Sequence, residues 1–142
     1  MPLLTPLRRL FLSRAETTAS EQQGSCRSAA KGMTMNGELR RLSPADVQAL
    51  LTQPGFVGVD VREPYEFEVG HLLGSLHIPL GELPGRLDEI PSDRIPVFLC
   101  RMGGRSLAAC ELALQAGRMQ AVNLEGGLRA WAAQVDPGLE VA

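Results

Sequence analysis

Lysine is almost absent from this 142-residue chain. Of its 14 basic residues 13 are arginines and one is Lys31, and the formal net charge is only −2. A weakly acidic chain without a polybasic run gives no sign of a surface for nucleic acid or an anionic membrane. Apolar runs are also short, and none reaches the about 18 residues that a membrane-spanning helix needs. We therefore expect neither a nucleic-acid partner nor a membrane partner.

Cysteine and histidine are scarce as well. The chain has three cysteines (Cys26, Cys100 and Cys110) and two histidines (His71 and His77), with no C-x-x-C pair among them. We therefore predict no metal site, and no feature of the sequence calls for an organic cofactor. An odd number of cysteines without the spacing of a disulfide scaffold favours a reducing compartment, so we expect a cytoplasmic protein.

The first 36 residues differ from the rest of the chain. They show neither the period of a strand nor that of a helix, so residues 1–36 are predicted to be a disordered extension. Met33 and Met35 lie close to the end of this segment, and either could be the true start. One folded domain is predicted over residues 37–136, followed by a loose tail over 137–142. The sequence leaves the oligomeric state open.

Strand-like and helix-like segments alternate after residue 37. The predicted strands are Glu38–Leu42, Phe56–Val61, Leu76–Ile78, Ile95–Leu99 and Ala121–Leu124. The first predicted helix begins after Ser43, its N-cap. The other predicted helices span Pro64–Val69, Leu83–Ile90, Leu107–Ala116 and the segment from Leu128 to Val135. This alternation indicates an α/β fold, a doubly wound parallel sheet of about five strands with helices on both faces. In such folds ligands bind beyond the carboxyl ends of the strands.

One loop combines several features of a reactive-thiol site. Cys100 stands where the apolar run of a predicted strand ends, and a loop rich in glycine and arginine leads from it into a predicted helix. A helix N-terminus and nearby guanidinium groups stabilise a thiolate and hold an anion beside it. We predict Cys100 as the nucleophile. The predicted anion-binding residues are Arg101, Met102, Gly103, Gly104 and Arg105.

Three separated motifs resemble those of the rhodanese family. They occur in the family's order and spacing between about Glu38 and Trp131, which leaves out only the N-terminal extension and the tail. The motifs are Asp60-Val61-Arg62-Glu63 with Glu66-Phe67, Gly70-His71-Leu72 and Gly74 to Pro79; the loop Cys100 to Ser106; and Asn123-Leu124-Glu125-Gly126-Gly127 with Trp131.

The resemblance implies a single-domain sulfurtransferase with the rhodanese-like fold. The Cys100 thiolate would take the sulfane sulfur of a small donor anion such as thiosulfate, or of another persulfide donor. The resulting persulfide, cradled by the backbone amides of Arg101 through Arg105, would pass its outer sulfur to a thiophilic acceptor. That acceptor would be cyanide, a thiol or a carrier protein, and no cofactor would be needed. Neither the physiological donor and acceptor nor the pathway follows from the sequence.

Two alternatives remain open beside this enzyme. One is a sulfur-carrier or docking module whose persulfide serves a partner without free turnover. The other, weaker alternative is a cysteine-dependent phosphatase or arsenate reductase of the same fold. Members of those groups carry a longer Cys-x5-Arg loop, whereas Cys100 and Arg105 are separated by four residues. The shorter loop favours sulfur over phosphorus.

Other polar and thiol side chains are assigned structural roles. Asp60 is predicted to hold loops together, and both histidines to be hydrogen-bonded structural residues. Cys110 and Trp131 are predicted to lie in the core. Whether Arg62 contacts a substrate stays open.

Overall fold

Five strands and five α-helices occupy residues 37–142, the part of the chain that the computed structural model describes. The strands are β1 Glu38–Leu42, β2 Phe56–Asp60, β3 Leu76–His77, β4 Ile95–Leu99 and β5 Gln120–Leu124. The helices are α1 Pro44–Leu51, α2 Pro64–Val69, α3 Leu83–Arg86, α4 Gly104–Gln115 and α5 Gly127–Gln134, with 3-10 turns at Leu80–Glu82 and Leu87–Glu89. The predicted extension over residues 1–36, with Cys26 and the alternative starts Met33 and Met35, lies outside the described residues.

All five strands run parallel in one sheet. Their order is β1-β5-β4-β2-β3. The register pairs Val59 with Phe98 across β2 and β4, and Phe98 with Asn123 across β4 and β5. Because parallel strands end at the same edge of a sheet, the segments that follow β2, β4 and β5 lie side by side. Cys100, directly after β4, therefore lies between the other two segments.

Helices cover both faces of this sheet. Side chains alternate between the two faces along a strand, so Phe98 packs in one core and Leu99 in the other. The first core takes side chains from α3 and α4, and the second takes them from α1 and α5. Cys110 and Trp131 are 0% and 6% exposed, which confirms them as core residues. The predicted doubly wound parallel fold is confirmed.

Two helices differ from their predicted bounds. α4 begins at Gly104, three residues before the predicted start, because Gly103 adopts a left-handed φ of 105° and turns the chain directly into the helix. The predicted helix Leu83–Ile90 contains only one α-turn, α3, between two 3-10 turns. Arg86 there has φ −128° and ψ 13°, which interrupts the helix. The apolar spacing predicted the segment but not this interruption.

The C-terminal tail packs back onto the domain instead of being loose. Leu139 and Val141 contact the second core. The backbone of Glu140 lies so close to Gly70 that a Cβ at that glycine would meet its carbonyl carbon at 3.1 Å. Alternate apolar residues let this short segment cover part of the domain, a contact that local sequence does not reveal.

A buried ion pair closes the end of β2. The side chains of Asp60 and Arg62 are both 0% exposed. Arg62 donates to the Asp60 carboxylate through Nε at 2.9 Å and through Nη2 at 2.7 Å, and Nη2 also donates to the carbonyl of Gly70 at 2.7 Å. The pair thus ties the end of the strand to the segment after α2, which confirms the structural role predicted for Asp60.

The two histidines support the same region. His77 Nε2 donates to the Arg62 carbonyl at 2.8 Å, and His71 Nδ1 donates to the Phe67 carbonyl at 2.8 Å. Their rings stack against Phe67, with centroids 3.7 Å away for His71 and 4.3 Å for His77. Both histidines are therefore hydrogen-bonded structural residues, as predicted.

Two kinds of feature are absent from residues 37–142. No helix in this range is both long and apolar enough to cross a membrane. No group of three or more His, Cys, Asp or Glu side chains in the same range is arranged to hold a metal ion.

Candidate active site

Cys100 lies at the carboxyl edge of the sheet, one residue after the end of β4. Its side chain is 1% exposed, and the loop after it leads through Gly103 into α4. The first turn of a helix has amide groups without intrahelical acceptors, and these carry partial positive charge. The fold therefore places the thiol beside the positive end of a twelve-residue helix.

Two groups contact the sulfur directly. The Gly103 amide donates to Cys100 Sγ at 3.0 Å, and Sγ lies 3.3 Å from the Ser106 hydroxyl oxygen. Ser106 in turn donates a short hydrogen bond to the side-chain oxygen of Asn123 at the end of β5. Ser106 and Asn123 are 0% and 2% exposed, so this chain of hydrogen bonds is shielded from water. It links the sulfur, which follows β4, to the neighbouring strand β5 and so fixes the position of the sulfur.

The N-terminus of α5 also binds the backbone of the cysteine loop. The Leu128 amide of α5 donates to the carbonyl of Cys100 at 2.8 Å, and the Arg129 amide donates to the carbonyl of Arg101 at 3.0 Å. These carbonyls satisfy amide donors that the helix itself leaves unpaired. Gly127, with a left-handed φ of 67°, makes the close approach possible. The third motif of the sequence thus acts as a backbone clamp on the cysteine loop.

Replacing Gly127 with alanine tests this clamp. A Cβ there would lie 2.5 Å from the Arg101 carbonyl carbon and 2.6 Å from the Met102 amide nitrogen, and both belong to backbone that cannot move freely. Together with the left-handed φ, this predicts a loss of roughly 1–3 kcal/mol in the free energy of unfolding, measured by denaturant titration. Gly117→Ala is the matched control, because Gly117 also has a left-handed φ, of 108°, and nothing lies within 4 Å of its Cβ position. Equal losses in the two variants would contradict the clamp.

The two loop arginines have different environments. Arg105 makes a bidentate ion pair with Glu66 of α2, at 2.8 Å from Nη1 and 2.9 Å from Nη2. The Glu66 side chain is 5% exposed and also accepts the Glu63 amide at 2.9 Å. The Arg105 hydrogen bonds lower the pKa of Glu66 to about 2, and Glu66 raises the pKa of Arg105. Both groups therefore stay charged at neutral pH.

Arg101 has no such partner. Within residues 37–142 it forms no salt bridge and no side-chain hydrogen bond, and its Nε is a buried donor without an acceptor. Met102 beside it is 61% exposed. Of the predicted anion-binding residues, Gly103 contacts Sγ, Gly104 begins α4, and Arg105 faces Glu66. The structure thus places Gly103 against the sulfur and gives the side chains of the two loop arginines unequal surroundings.

Arg62 is separated from solvent. It is fully buried and bonded to Asp60 and Gly70, so it cannot reach a ligand approaching from outside without breaking the ion pair with Asp60.

The surface of the domain also has hollows. One of about 540 Å³ is lined by Leu87, Arg94 and Met119 near the amino ends of β4 and β5. A smaller hollow of about 190 Å³ borders the loop itself at Met102 and Gly103.

Glu66, Ser106 and Asn123 were not predicted as site residues. Glu66 reaches Arg105 across 39 positions of sequence, and Asn123 reaches Ser106 across 17. No helical or strand spacing links positions so far apart. The only signal was their presence in motifs shared with a known family, which does not by itself indicate a contact.

Comparison with known proteins agrees with the fold and the motifs. Residues 43–134 match the family described as Rhodanese-like domain. A protein of Allochromatium vinosum named Sulfurtransferase is 43% identical over 74 residues, which cover 52% of this chain and 69% of that protein. The Adenylyltransferase and sulfurtransferase MOCS3 of Drosophila virilis is 31% identical over 109 residues, 71% of this chain but only 24% of that protein.

A solved structure shares the architecture. The crystal structure of a rhodanese-related protein from Thermoplasma volcanium has a TM-score of 0.61 and 30% sequence identity, and the match covers 72% of this chain and 97% of that one. The chain belongs to the rhodanese-like domain family. The family assignment from the sequence motifs is thereby confirmed.

Proposed function

We propose that this domain transfers sulfane sulfur through a persulfide on Cys100. The observation that carries the proposal is the sulfur at the N-terminal end of α4, where it accepts the Gly103 amide at 3.0 Å. This amide holds the sulfur in position at the edge of the sheet, and the thiolate is the reactive form of cysteine. Cys110 is a poor alternative because burial raises its pKa to about 12, which keeps it a thiol.

The reaction consists of two displacements at sulfur. The Cys100 thiolate attacks the outer sulfur of a donor such as thiosulfate; a new S–S bond forms, and the old one breaks to release sulfite with its electron pair. The outer sulfur of the persulfide is then attacked by an acceptor, and Cys100 leaves as thiolate. The amides from Arg101 to Arg105 are proposed to cradle the outer sulfur, and the Gly103 amide, which donates to Sγ at 3.0 Å, is the one that supports this. A covalent intermediate of this kind predicts ping-pong kinetics.

The acceptor is proposed to be a thiol or a carrier protein, with cyanide as its laboratory substitute. Cys100 is 1% exposed, so the thiol itself offers little surface, and the added sulfur is the atom that can project toward an acceptor. A sulfur-carrier module that loads its persulfide but turns over only with a partner uses the same chemistry. The named sulfurtransferase relative supports transfer in general rather than a particular acceptor. We also propose a cytoplasmic location, where the two buried cysteines stay reduced.

Intact mass spectrometry tests the proposal. The protein incubated with thiosulfate should gain the mass of one sulfur atom, release one equivalent of sulfite, and lose the added mass on treatment with cyanide. Loading without turnover on cyanide or a small thiol would favour the carrier module. Absence of the added mass with any sulfane-sulfur donor would reject the proposal. Cys100-dependent hydrolysis of an aryl phosphate would favour the phosphatase alternative instead.

A further inference from the structure

The pairing of Arg105 with Glu66 reduces the positive charge available to a donor. The carboxylate and the guanidinium meet in two hydrogen bonds of 2.8 and 2.9 Å. Glu66 is held in place by the Glu63 amide at 2.9 Å and is 5% exposed, whereas the Arg105 side chain is 35% exposed, so the carboxylate is the partner that is shielded from solvent. Glu63 adds a second negative charge close enough to affect Arg105. Arg105 is therefore a cation that is already neutralised before any donor arrives.

Arg101 differs in this respect. It has no carboxylate partner among residues 37–142, and its buried Nε lacks an acceptor. Once Cys100 is a thiolate, the negative charges of Cys100 and Glu66 already match the positive charges of Arg101 and Arg105, before the Glu63 carboxylate is counted. Arg101 is the loop cation without a carboxylate partner among residues 37–142, so one further negative charge can be balanced while Arg105 stays paired with Glu66. A second negative charge requires Arg105 to leave Glu66, and an unpaired, nearly buried carboxylate is costly.

We propose that Glu66 determines the donor class of this domain: it holds Arg105 and so favours sulfane-sulfur donors with a single negative charge over the thiosulfate dianion. The inference rests on the proposed sulfur transfer and names its substrate class, the persulfide ends of thiols or of protein cysteines. With such a donor the thiolate attacks the outer sulfur, a new S–S bond forms, and the inner sulfur leaves as a thiolate with the electron pair of the broken bond. No additional oxidant or reductant is required.

Two donors that differ by one charge allow a direct test. Thiosulfate and methanethiosulfonate both offer a terminal sulfane sulfur bound to an oxidised sulfur, and their leaving groups are sulfite and methanesulfinate. The measured quantity is kcat/KM for thiosulfate divided by kcat/KM for methanethiosulfonate. Glu66→Gln keeps an oxygen that can accept the Glu63 amide and releases Arg105 from its ion pair. We expect this ratio to rise about ten-fold, mainly through the KM for thiosulfate.

Two further variants separate charge from structure. Glu89→Gln removes a carboxylate from the exposed ion pair between Glu89 and Arg86. This pair lies in the segment before β4, whereas Cys100 follows β4, so the variant should leave the ratio unchanged. In the double variant Glu66→Gln/Arg105→Gln both charges are gone, so the ratio should return toward the wild-type value. A merely structural role of Glu66 would lower both kcat/KM values together. An unchanged ratio in Glu66→Gln would overturn the inference.

The wild-type protein provides a second measurement that does not depend on the folding of a variant. Salt weakens attraction between charges, so an accessible double cation would make kcat/KM for thiosulfate fall steeply as ionic strength rises. With Arg105 neutralised we expect a flat dependence. A steep fall would overturn the inference while leaving sulfur transfer intact. If neither of these donors nor a small-molecule persulfide adds a sulfur atom to the wild-type protein, the proposed function itself fails, and the inference fails with it.

Discussion

Cys100→Ser is expected to gain no sulfur from thiosulfate and to lose sulfur transfer by at least about 10³-fold. Serine differs from cysteine by one atom, but its hydroxyl is rarely ionised near neutral pH and cannot store a sulfane sulfur as a persulfide. The variant keeps a group that can accept the Gly103 amide, so the loop should stay in place. Intact mass after incubation with thiosulfate, and sulfite release over time, are the measurements.

Cys110 supplies the control for this prediction. It lies on α4 ten positions after Cys100, is 0% exposed, and has a pKa raised to about 12 by burial. Cys110→Ala should gain the sulfur atom as the wild-type protein does, with peptide mapping placing it on Cys100. Addition of sulfur to the Cys100→Ser protein would show that another residue forms the adduct. Mapping would then identify the correct thiol.

Removing the Asp60 carboxylate is expected to cause the largest loss of stability. Asp60→Ala leaves the guanidinium of Arg62 buried at 0% exposure without its counter-charge, and one Nη of Arg62 already lacks a partner. Uncompensated buried charges cost about 3–5 kcal/mol. This is a large share of the about 5–15 kcal/mol by which domains of this kind are stable. Denaturant titration with a structural probe measures the difference.

Two comparisons distinguish a buried-charge effect from a general effect of truncation. Glu82→Ala breaks an ion pair with Arg86 in which both side chains are substantially exposed, and it should change the unfolding midpoint little. Replacing both partners, as in Asp60→Ala/Arg62→Met, removes the unpaired charge and should destabilise less than Asp60→Ala alone. A double variant that is less stable than the single variant would contradict this account.

Local sequence predicted most of the fold. Short strand-like segments located all five strands, and the N-cap at Ser43, which accepts the Asp46 amide at 3.3 Å, located the start of α1. These signals are short-range, because strand and helix periods depend on neighbours within about four positions. The same reasoning placed Cys100 at the end of a strand. It failed at α3, where the backbone conformation of Arg86 interrupts the helix and leaves only one α-turn between two 3-10 turns.

The candidate site was predicted only in part. The loop from Cys100 to Arg105 is contiguous, so its glycines, arginines and thiol could be read together. The partners of these side chains could not be predicted, because Glu66 comes from α2 and Asn123 from β5. The burial of each arginine could not be predicted from the sequence either. Nothing in the composition of the motif distinguishes Arg62, which is fully enclosed, from Arg101, whose guanidinium lacks an ion pair among residues 37–142.

The sequence by itself therefore determined the α/β alternation, the family motifs and the identity of the candidate nucleophile. Only the tertiary structure decided which of the two loop arginines is neutralised and which helix clamps the loop. The physical reason is that parallel strands joined by crossover helices bring distant positions to one edge of the sheet. Contacts such as Glu66 with Arg105, and the Leu128 amide with the Cys100 carbonyl, depend on that packing rather than on any local pattern.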